Sequence, residues 1–124
     1  MFVEIDFNSD EALYLQLCNQ IIMGIAMSKY REGDALPSVR SLAEDIGINM
    51  HTVNKAYAIL RQEGYVKVDR RRGAIISLEY DKRETIERLR YELTKLLARG
   101  FCKDISREEF HLLVDEIYDR YERG

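Results

Sequence analysis

The chain has 124 residues, of which 46% are hydrophobic, and a formal net charge of -3 at pH 7. This length supports one modest hydrophobic core, which excludes a large two-lobed enzyme. No segment approaches the roughly 18 apolar residues of a membrane-spanning helix, and the acidic N-terminal segment lacks the basic and apolar regions of a signal peptide. We therefore expect a small globular protein of the cytoplasm, without a membrane partner.

The charge is unevenly distributed along the chain. Residues 1–27 carry four acidic side chains and no Lys or Arg, whereas residues 28–78 carry nine basic against six acidic side chains. Within this middle segment, residues 49–73 hold six basic side chains against Glu63 and Asp69. A local positive region on an acidic protein is typical of a surface that binds a polyanion, and a solvated turn is the alternative explanation for a run of arginines.

The first predicted helix runs from about Asp10 to Tyr30, where apolar residues recur at helical spacing. Asn8, with Glu11 three residues later, predicts the N-terminal cap of this helix. The following stretch "REGDALP" contains Gly33, which indicates a helix stop, and the letters "DAL", which indicate a short extended piece.

Two short helices separated by a glycine follow. Ser38 predicts the cap of the second helix, Gly47 predicts its end, and Asn49 predicts the cap of the third helix. The third helix has apolar residues at positions i, i+3, i+4 and i+7, which predict one buried face. These residues are Val53, Ala56, Tyr57 and Leu60. The polar opposite face and the glycine turn are typical of a helix-turn-helix, although a plain helical hairpin has a similar pattern.

A β-hairpin is predicted directly after the third helix. The runs "EGYVKVD" and "AIISLEY" are rich in β-forming residues, so we expect strands at residues 65–69 and 74–78. The residues between them, which we call the wing tip, are Arg70, Arg71, Arg72 and Gly73. A helix, a short extended piece, two helices and a hairpin follow the order of a winged helix. The expected fold class is therefore mainly α with a small β-hairpin.

The stretch "LPSVRSLAEDIGINMHTVNKAYAILRQEGYVKVDRRRGAIIS" resembles the DNA-binding head of the GntR family of bacterial transcription regulators, with the same internal spacing. Upstream, "ALYLQLCNQI" is similar to the first helix of that family. The short segment after residue 79 resembles the YtrA-type branch, whose members add only two helices. The resemblance implies a winged helix-turn-helix DNA-binding domain in residues 1–79 and a two-helix dimerisation tail in residues 80–124.

In a helix-turn-helix, the second helix of the motif enters the major groove of double-stranded DNA. We expect Arg40 to bind a guanine edge or a phosphate, and an ion pair with Glu44 is the alternative. We expect His51 and Asn54 to contact base edges. The residues expected to cap this helix or to hold phosphates are Asn49, Thr52 and Lys55. Many relatives carry arginine where this helix has Met50 and Asn54, which implies weaker reading of guanine.

The wing tip of a winged helix lies next to the recognition helix, over a phosphate backbone or the minor groove. Gly73 suits this place because a tight turn often needs a positive φ and because a missing side chain lets the backbone approach DNA. We expect Arg70, Arg71 and Arg72 to form a local cationic finger on the acidic protein.

The tail is predicted to form two amphipathic helices. Asp81 and Ser106 indicate their N-terminal caps, and Gly100 indicates the end of the first helix. A single helical hairpin is too thin to bury both apolar stripes, so the stripes are expected to pack on a second copy in a homodimer, with packing inside a monomer as the alternative. The residues expected at the dimer interface are Leu89, Leu93, Leu96, Phe110, Val114, Ile117 and Tyr121.

The sequence offers little support for other chemistry. It contains no Ser/His/Asp or Cys/His set with catalytic spacing and no phosphate loop. The two histidines and two cysteines share no metal-ligand spacing. We expect no enzyme activity, no cofactor and no metal, and the sequence identifies no small-molecule effector. The expected function is sequence-specific DNA binding by a regulator, most simply a dimeric repressor of a palindromic operator, and the alternative is a winged helix that binds proteins without reading DNA.

Overall fold

The computed structural model describes residues 3–123, which contain five helices and two strands. In chain order the elements are α1 (Leu13–Ala26), α2 (Val39–Ile46), α3 (Met50–Gln62), β1 (Val66–Asp69), β2 (Gly73–Ile76), α4 (Lys82–Cys102) and α5 (Arg107–Arg123). The chain divides into two compact units, and the boundary lies between Glu79 and Tyr80. This mainly helical architecture with one hairpin confirms the expected fold class. Among the described helices, none has the length and apolar character needed to cross a bilayer.

The core of the first unit lies between α1, α2, α3 and the hairpin. Its fully buried large side chains are Leu17, Ile21, Leu42, Val53, Leu60 and Ile76. The predicted buried face of α3 is confirmed, since its four apolar residues are all buried. Each helix contributes residues three or four positions apart, so one face of each helix packs inward while the other stays in solvent.

The predicted cap of α1 is wrong. The helix begins one residue after Ala12, and no side chain caps it. Asn8 instead donates its backbone N–H to the Asp6 carboxylate. The buried Gln16 accepts the Asp6 N–H at 2.9 Å and donates to the carbonyl groups of Asp6 and Glu11. The start of α1 is therefore determined by a glutamine inside the helix that binds the chain leading into it.

The predicted caps of α2 and α3 are confirmed. The Ser38 hydroxyl accepts the Ser41 N–H at 3.1 Å, and the Asn49 side chain accepts the His51 N–H at 2.7 Å. Gly47 ends α2 in the left-handed region, with φ 80°. These local interactions fix the short turn between the two helices and therefore the first turn of α3.

A hydrogen bond from a tyrosine joins α3 to the segment before α2. The Tyr57 hydroxyl donates to the Pro37 carbonyl at 2.8 Å. Burial raises the pKa of Tyr57, so the phenol stays protonated and remains a donor at neutral pH. The two helices of the motif are thus connected through Pro37 as well as through their apolar contacts.

The hairpin is antiparallel, and its pairing ends with Asp69 opposite Gly73. The extended piece predicted from "DAL" is confirmed, because Ala35 forms a bridge with Ile75 and the Leu36 N–H donates to a β2 carbonyl at 2.8 Å. The loop before α2 therefore acts as a third, very short strand on the hairpin.

Gly64 makes the connection from α3 to β1. Its φ is 86°, and a β-carbon at this position would overlap the backbone carbonyl of Glu79. The Glu79 N–H also donates to the Gly64 carbonyl at 2.9 Å. The close approach of two backbone segments, together with the left-handed φ, leaves no room for a side chain.

The second unit consists of α4 and α5, and both predicted caps are present. The Asp81 carboxylate accepts the Glu84 N–H at 3.2 Å. Ser106 and Glu109 form a reciprocal capping box with distances of 3.0 and 3.1 Å. The hydrogen bonds from Ser106 hold the pKa of Glu109 below its usual range.

The prediction that Gly100 ends the first tail helix is wrong. The helix continues through Gly100 to Cys102. The Phe110 ring occupies the space that a β-carbon on Gly100 would fill. Asp104, with φ 64°, reverses the chain after the helix. The glycine therefore allows α4 and α5 to approach closely and does not serve as a helix stop.

Candidate nucleic-acid interface

The outward face of α3 carries polar side chains that the core does not use. His51, Asn54 and Lys55 are exposed, and Thr52 is half-buried. The Asn49 side chain is engaged in the helix cap. The helix dipole gives this end of α3 a partial positive charge, which favours an anion such as phosphate.

Lys55 is positioned by an aromatic ring from another helix. Its Nζ lies 3.9 Å from the centroid of the Tyr14 ring, in the first turn of α1. A cation–π contact of this kind restrains the ammonium group at the edge of α3. Tyr14 could not be found from the sequence because no local pattern links it to Lys55, and only the packing of α1 against α3 brings the two residues together.

Arg40 is exposed near the start of α2. Across residues 3–123 it forms no ion pair with Glu44, and the ion pairs that the structure contains there lie in α4. Its guanidinium therefore keeps its five N–H donors for a partner outside the chain.

The wing tip is organised by an aspartate. The Asp69 carboxylate accepts the backbone N–H groups of Arg71 and Arg72 at 2.8 and 3.1 Å. These two hydrogen bonds hold the pKa of Asp69 below its usual range. Gly73 closes the turn with φ 75°. This role of Asp69 was not predicted from the sequence, although an aspartate just before a tight turn is a recognised signal for such hydrogen bonds.

The three arginines of the wing tip differ in their contacts. Arg72 Nη1 donates to the Gly33 carbonyl at 3.0 Å, so this side chain is bound to the loop before α2. Within the described chain, the side chains of Arg70 and Arg71 have no hydrogen-bond or ion-pair partner. The tip thus presents two unpartnered guanidinium groups and a third that is anchored.

A groove of about 410 Å³ separates α3 from the hairpin. Its lining residues are Val39, Asn54, Tyr57, Ala58, Arg61, Val66, Val68 and Ala74. Asn54 and Arg61 project from α3, and the apolar residues come mainly from the two strands and the buried side of α3. The groove shows that α3 and the hairpin form two walls of one concave surface.

The cysteine of the first unit does not contribute to the chemistry of this surface. Cys18 is buried, and burial, with a smaller effect of the Glu63 charge, raises the pKa of its thiol to about 11. It is therefore protonated and unreactive at neutral pH. Within residues 3–123, no group of three or more His, Cys, Asp or Glu side chains is placed to hold a metal ion.

Comparison with known proteins identifies the family. Residues 13–76, from the first residue of α1 to the last of β2, match the family described as "Bacterial regulatory proteins, gntR family". The chain is 33% identical over 119 residues to the HTH-type transcriptional repressor YtrA of Bacillus subtilis, covering 93% of this chain and 91% of YtrA. It is 30% identical over 113 residues to YhcF, an uncharacterized HTH-type transcriptional regulator of the same organism, covering 91% and 89%.

A solved structure shows the same overall chain fold. The protein described as a transcriptional antiterminator from Listeria monocytogenes EGD-e is similar with a TM-score of 0.86 at 26% identity, covering 98% of this chain and 93% of that one. The family match contains the helix-turn-helix and the hairpin whose geometry is described above, and the resemblance predicted from the sequence is confirmed. The chain therefore belongs to the gntR family, in its YtrA-type branch, and is a helix-turn-helix transcription regulator that binds DNA rather than an enzyme.

Proposed function

We propose that this protein is a dimeric repressor that binds a palindromic operator in the bacterial cytoplasm. The observation that carries the proposal is the concave surface formed by α3 and the hairpin, with an exposed polar helix on one side and a cluster of arginines at the wing tip. The similarity to the repressor YtrA supports repression as the outcome of binding. A dimer that occupies an operator would block access of the transcription machinery to the promoter.

In this proposal α3 lies in the major groove and reads bases. Arg40, near the start of α2, is suited to guanine because a guanidinium can donate two hydrogen bonds to the N7 and O6 atoms. Asn54 is suited to adenine because its amide both donates and accepts. His51, on the first turn of α3, reads a third base edge.

The remaining contacts of the proposal are to the sugar–phosphate backbone. Asn49 and Thr52 lie at the start of α3, and Lys55 lies at its edge, restrained by Tyr14. The wing tip contacts a flanking phosphate through Arg70 and Arg71, while Arg72 keeps donors that its bond to the loop before α2 does not use. Such contacts provide affinity for any sequence, and the residues of the major groove provide the choice among sequences.

The tail is proposed to hold two copies together. Neither α4 nor α5 contains a buried residue, and apolar side chains on both helices are about half exposed. The half-exposed members of the proposed interface are Leu89, Leu93, Leu96, Val114 and Ile117. Phe110 packs on Gly100, and Tyr121 is half-buried, with its ring 6.2 Å from that of Tyr118. Packing of these stripes against a second copy would remove their exposed apolar side chains from water.

The experiment that tests the proposal selects binding sites for the full chain from random duplex DNA. We expect an enriched inverted repeat whose half-sites lie about 10 base pairs apart, or a multiple of that distance, because a two-fold dimer presents two recognition helices one helical turn apart. Sedimentation of the complex should give two chains per duplex.

Three results would contradict the proposal. These are the enrichment of a single half-site, the binding of one chain per duplex, and the absence of any enriched sequence. Weak DNA binding without salt dependence would instead favour a winged helix that recognises other proteins.

A further inference from the structure

Met50, the first residue of α3, has a large apolar side chain that the fold leaves in solvent. It is 42% exposed, whereas the apolar residues that follow on the inner face of α3 are buried. It stands at the end of α3 that the proposed function places in the major groove. The Asn49 side chain caps the helix at the preceding residue, which fixes the backbone from which the Met50 side chain projects.

Met50 shares a row on the helix surface with Asn54. Residues four apart on a helix are neighbours on the same face, so the two side chains project from adjacent turns. Both are exposed, and Ala58 continues the row with a small side chain. A base pair that meets Asn54 therefore has a neighbour within reach of Met50.

The chemistry of the major groove identifies the partner of this side chain. Base edges in that groove present hydrogen-bonding groups and one apolar substituent, the C5-methyl group of thymine. Methionine makes weak hydrogen bonds at most, and its flexible, polarizable side chain adapts to apolar groups of irregular shape. The amide of Asn54 matches the N6 and N7 atoms of adenine.

We infer that Met50 contacts the methyl group of a thymine in the operator, next to an adenine that Asn54 binds. The inference rests on the proposed function, since it requires α3 to lie in the major groove. It adds a specificity determinant to that function: each half-site contains adjacent A·T base pairs, and one of their thymines is recognised through its methyl group.

The test uses the operator recovered from random duplex DNA and replaces each thymine in turn by deoxyuridine. This change removes the methyl group and leaves every hydrogen-bonding group of the base in place. The full-length wild-type chain should lose about fourfold in affinity at one thymine of a half-site, as expected for the burial of one methyl group. Met50→Ala should bind the thymine duplex about fourfold more weakly per half-site, on the order of 15-fold for a dimer on two half-sites, and should be insensitive to the substitution.

Two variants serve as controls. Met50→Leu keeps an apolar side chain and should retain sensitivity to deoxyuridine. Met23→Ala removes a methionine of similar exposure, 49%, from α1 and should behave like the wild-type chain. Thermal unfolding of all three variants should match that of the wild type, because each replaced side chain is exposed.

The outcomes separate the inference from the proposed function. If an operator is enriched but no deoxyuridine substitution affects the wild-type chain, the Met50 contact is wrong and the proposed function stands. The contact is also wrong if Met50→Ala remains as sensitive to deoxyuridine as the wild type. If no sequence is enriched, sequence-specific reading is contradicted and the Met50 contact with it. The deoxyuridine series uses the wild-type chain alone, so it tests the inference even if Met50→Ala fails to fold.

Discussion

The arginines of the wing tip are predicted to contribute unequally to DNA binding. The side chains of Arg70 and Arg71 point into solvent without a partner in the described chain, whereas Arg72 donates to the Gly33 carbonyl. Replacing Arg70 and Arg71 together by alanine should remove electrostatic attraction without disturbing the fold. Replacing Arg72 alone should instead weaken the connection between the wing tip and the loop before α2.

The double variant is expected to change the salt dependence of DNA binding, whereas the Arg72 variant is expected to change mainly the stability of the fold. The slope of log K against log salt is negative, and each lost phosphate contact reduces its magnitude by about 0.9, so Arg70→Ala/Arg71→Ala should reduce that magnitude by up to about 1.8 per wing. When the salt concentration rises from 50 to 200 mM, the double variant should therefore lose about tenfold less affinity per wing than the wild-type chain loses. Arg72→Ala should reduce the magnitude of the slope by less than about 0.9, the value for one phosphate contact. It should lower the free energy of unfolding by about 0.5 kcal/mol, because the lost hydrogen bond is solvent-exposed.

The assay is a titration of labelled operator DNA at several salt concentrations, combined with urea unfolding of each variant. Arg88→Ala/Arg90→Ala is the matched control, since it removes two arginines from exposed ion pairs on α4 and makes the same change in net charge. It should leave the salt slope unchanged.

An unaltered slope for Arg70→Ala/Arg71→Ala would refute the reasoning and leave the wing tip as a solvated turn. If Arg72→Ala reduced the magnitude of the slope as much as the double variant does, the different roles assigned to Arg72 and to the other two arginines would be contradicted.

Three further predictions concern the tail, the backbone and the thiols. Leu93→Glu on α4 should yield monomers in sedimentation experiments and weaken operator binding by on the order of 100-fold, because the two heads are no longer linked. Gly64→Ala should lower the free energy of unfolding by about 1 to 3 kcal/mol more than Gly33→Ala, since both have a positive φ but only Gly64 faces another backbone segment. In thiol labelling at neutral pH, Cys102 should react rapidly and Cys18 only on unfolding. Burial raises the pKa of Cys18 from its ordinary value of 9.0 to about 11. The folded chain therefore holds the thiol proton more tightly than the unfolded chain, and the stability that this provides should fall as the pH rises from 9.0 towards 11.

Each of these experiments has a simple contradiction. Thr94→Glu adds the same charge as Leu93→Glu at a neighbouring position on α4, so a similar loss of dimer would show that charge and not the apolar stripe is responsible. Equal destabilisation by the two glycine substitutions would exclude a steric role for the backbone next to Gly64. Rapid labelling of both thiols in the native chain would show that Cys18 is accessible, and Cys102→Ser should abolish the rapid phase.

Local sequence signals were sufficient for the motif itself. Ser38, Gly47 and Asn49 act within a few residues of their own positions, so their caps could be predicted without knowledge of the fold. The buried face of α3 followed from apolar periodicity, and the hairpin followed from two β-forming runs around a glycine. These features depend on short-range backbone chemistry, which a sequence displays directly.

The remaining features depend on residues that are distant in sequence. Gln16 determines the start of α1 through hydrogen bonds to the preceding chain, and Gly100 is needed because Phe110 packs against it. Lys55 meets Tyr14 only because α1 and α3 pack together. In each case the local pattern was compatible with a different role, and a tertiary contact determined the actual one.

The bridge between Ala35 and Ile75 reduces the conformational entropy that the hairpin would lose on binding DNA. A hairpin attached only at its base would sample many orientations and would lose that freedom on binding. Here the loop before α2 pairs with β2, and Arg72 adds a second attachment at the wing tip. The hairpin has therefore already lost much of its conformational entropy when the chain folds, and in the proposed complex it would lose little more on binding DNA.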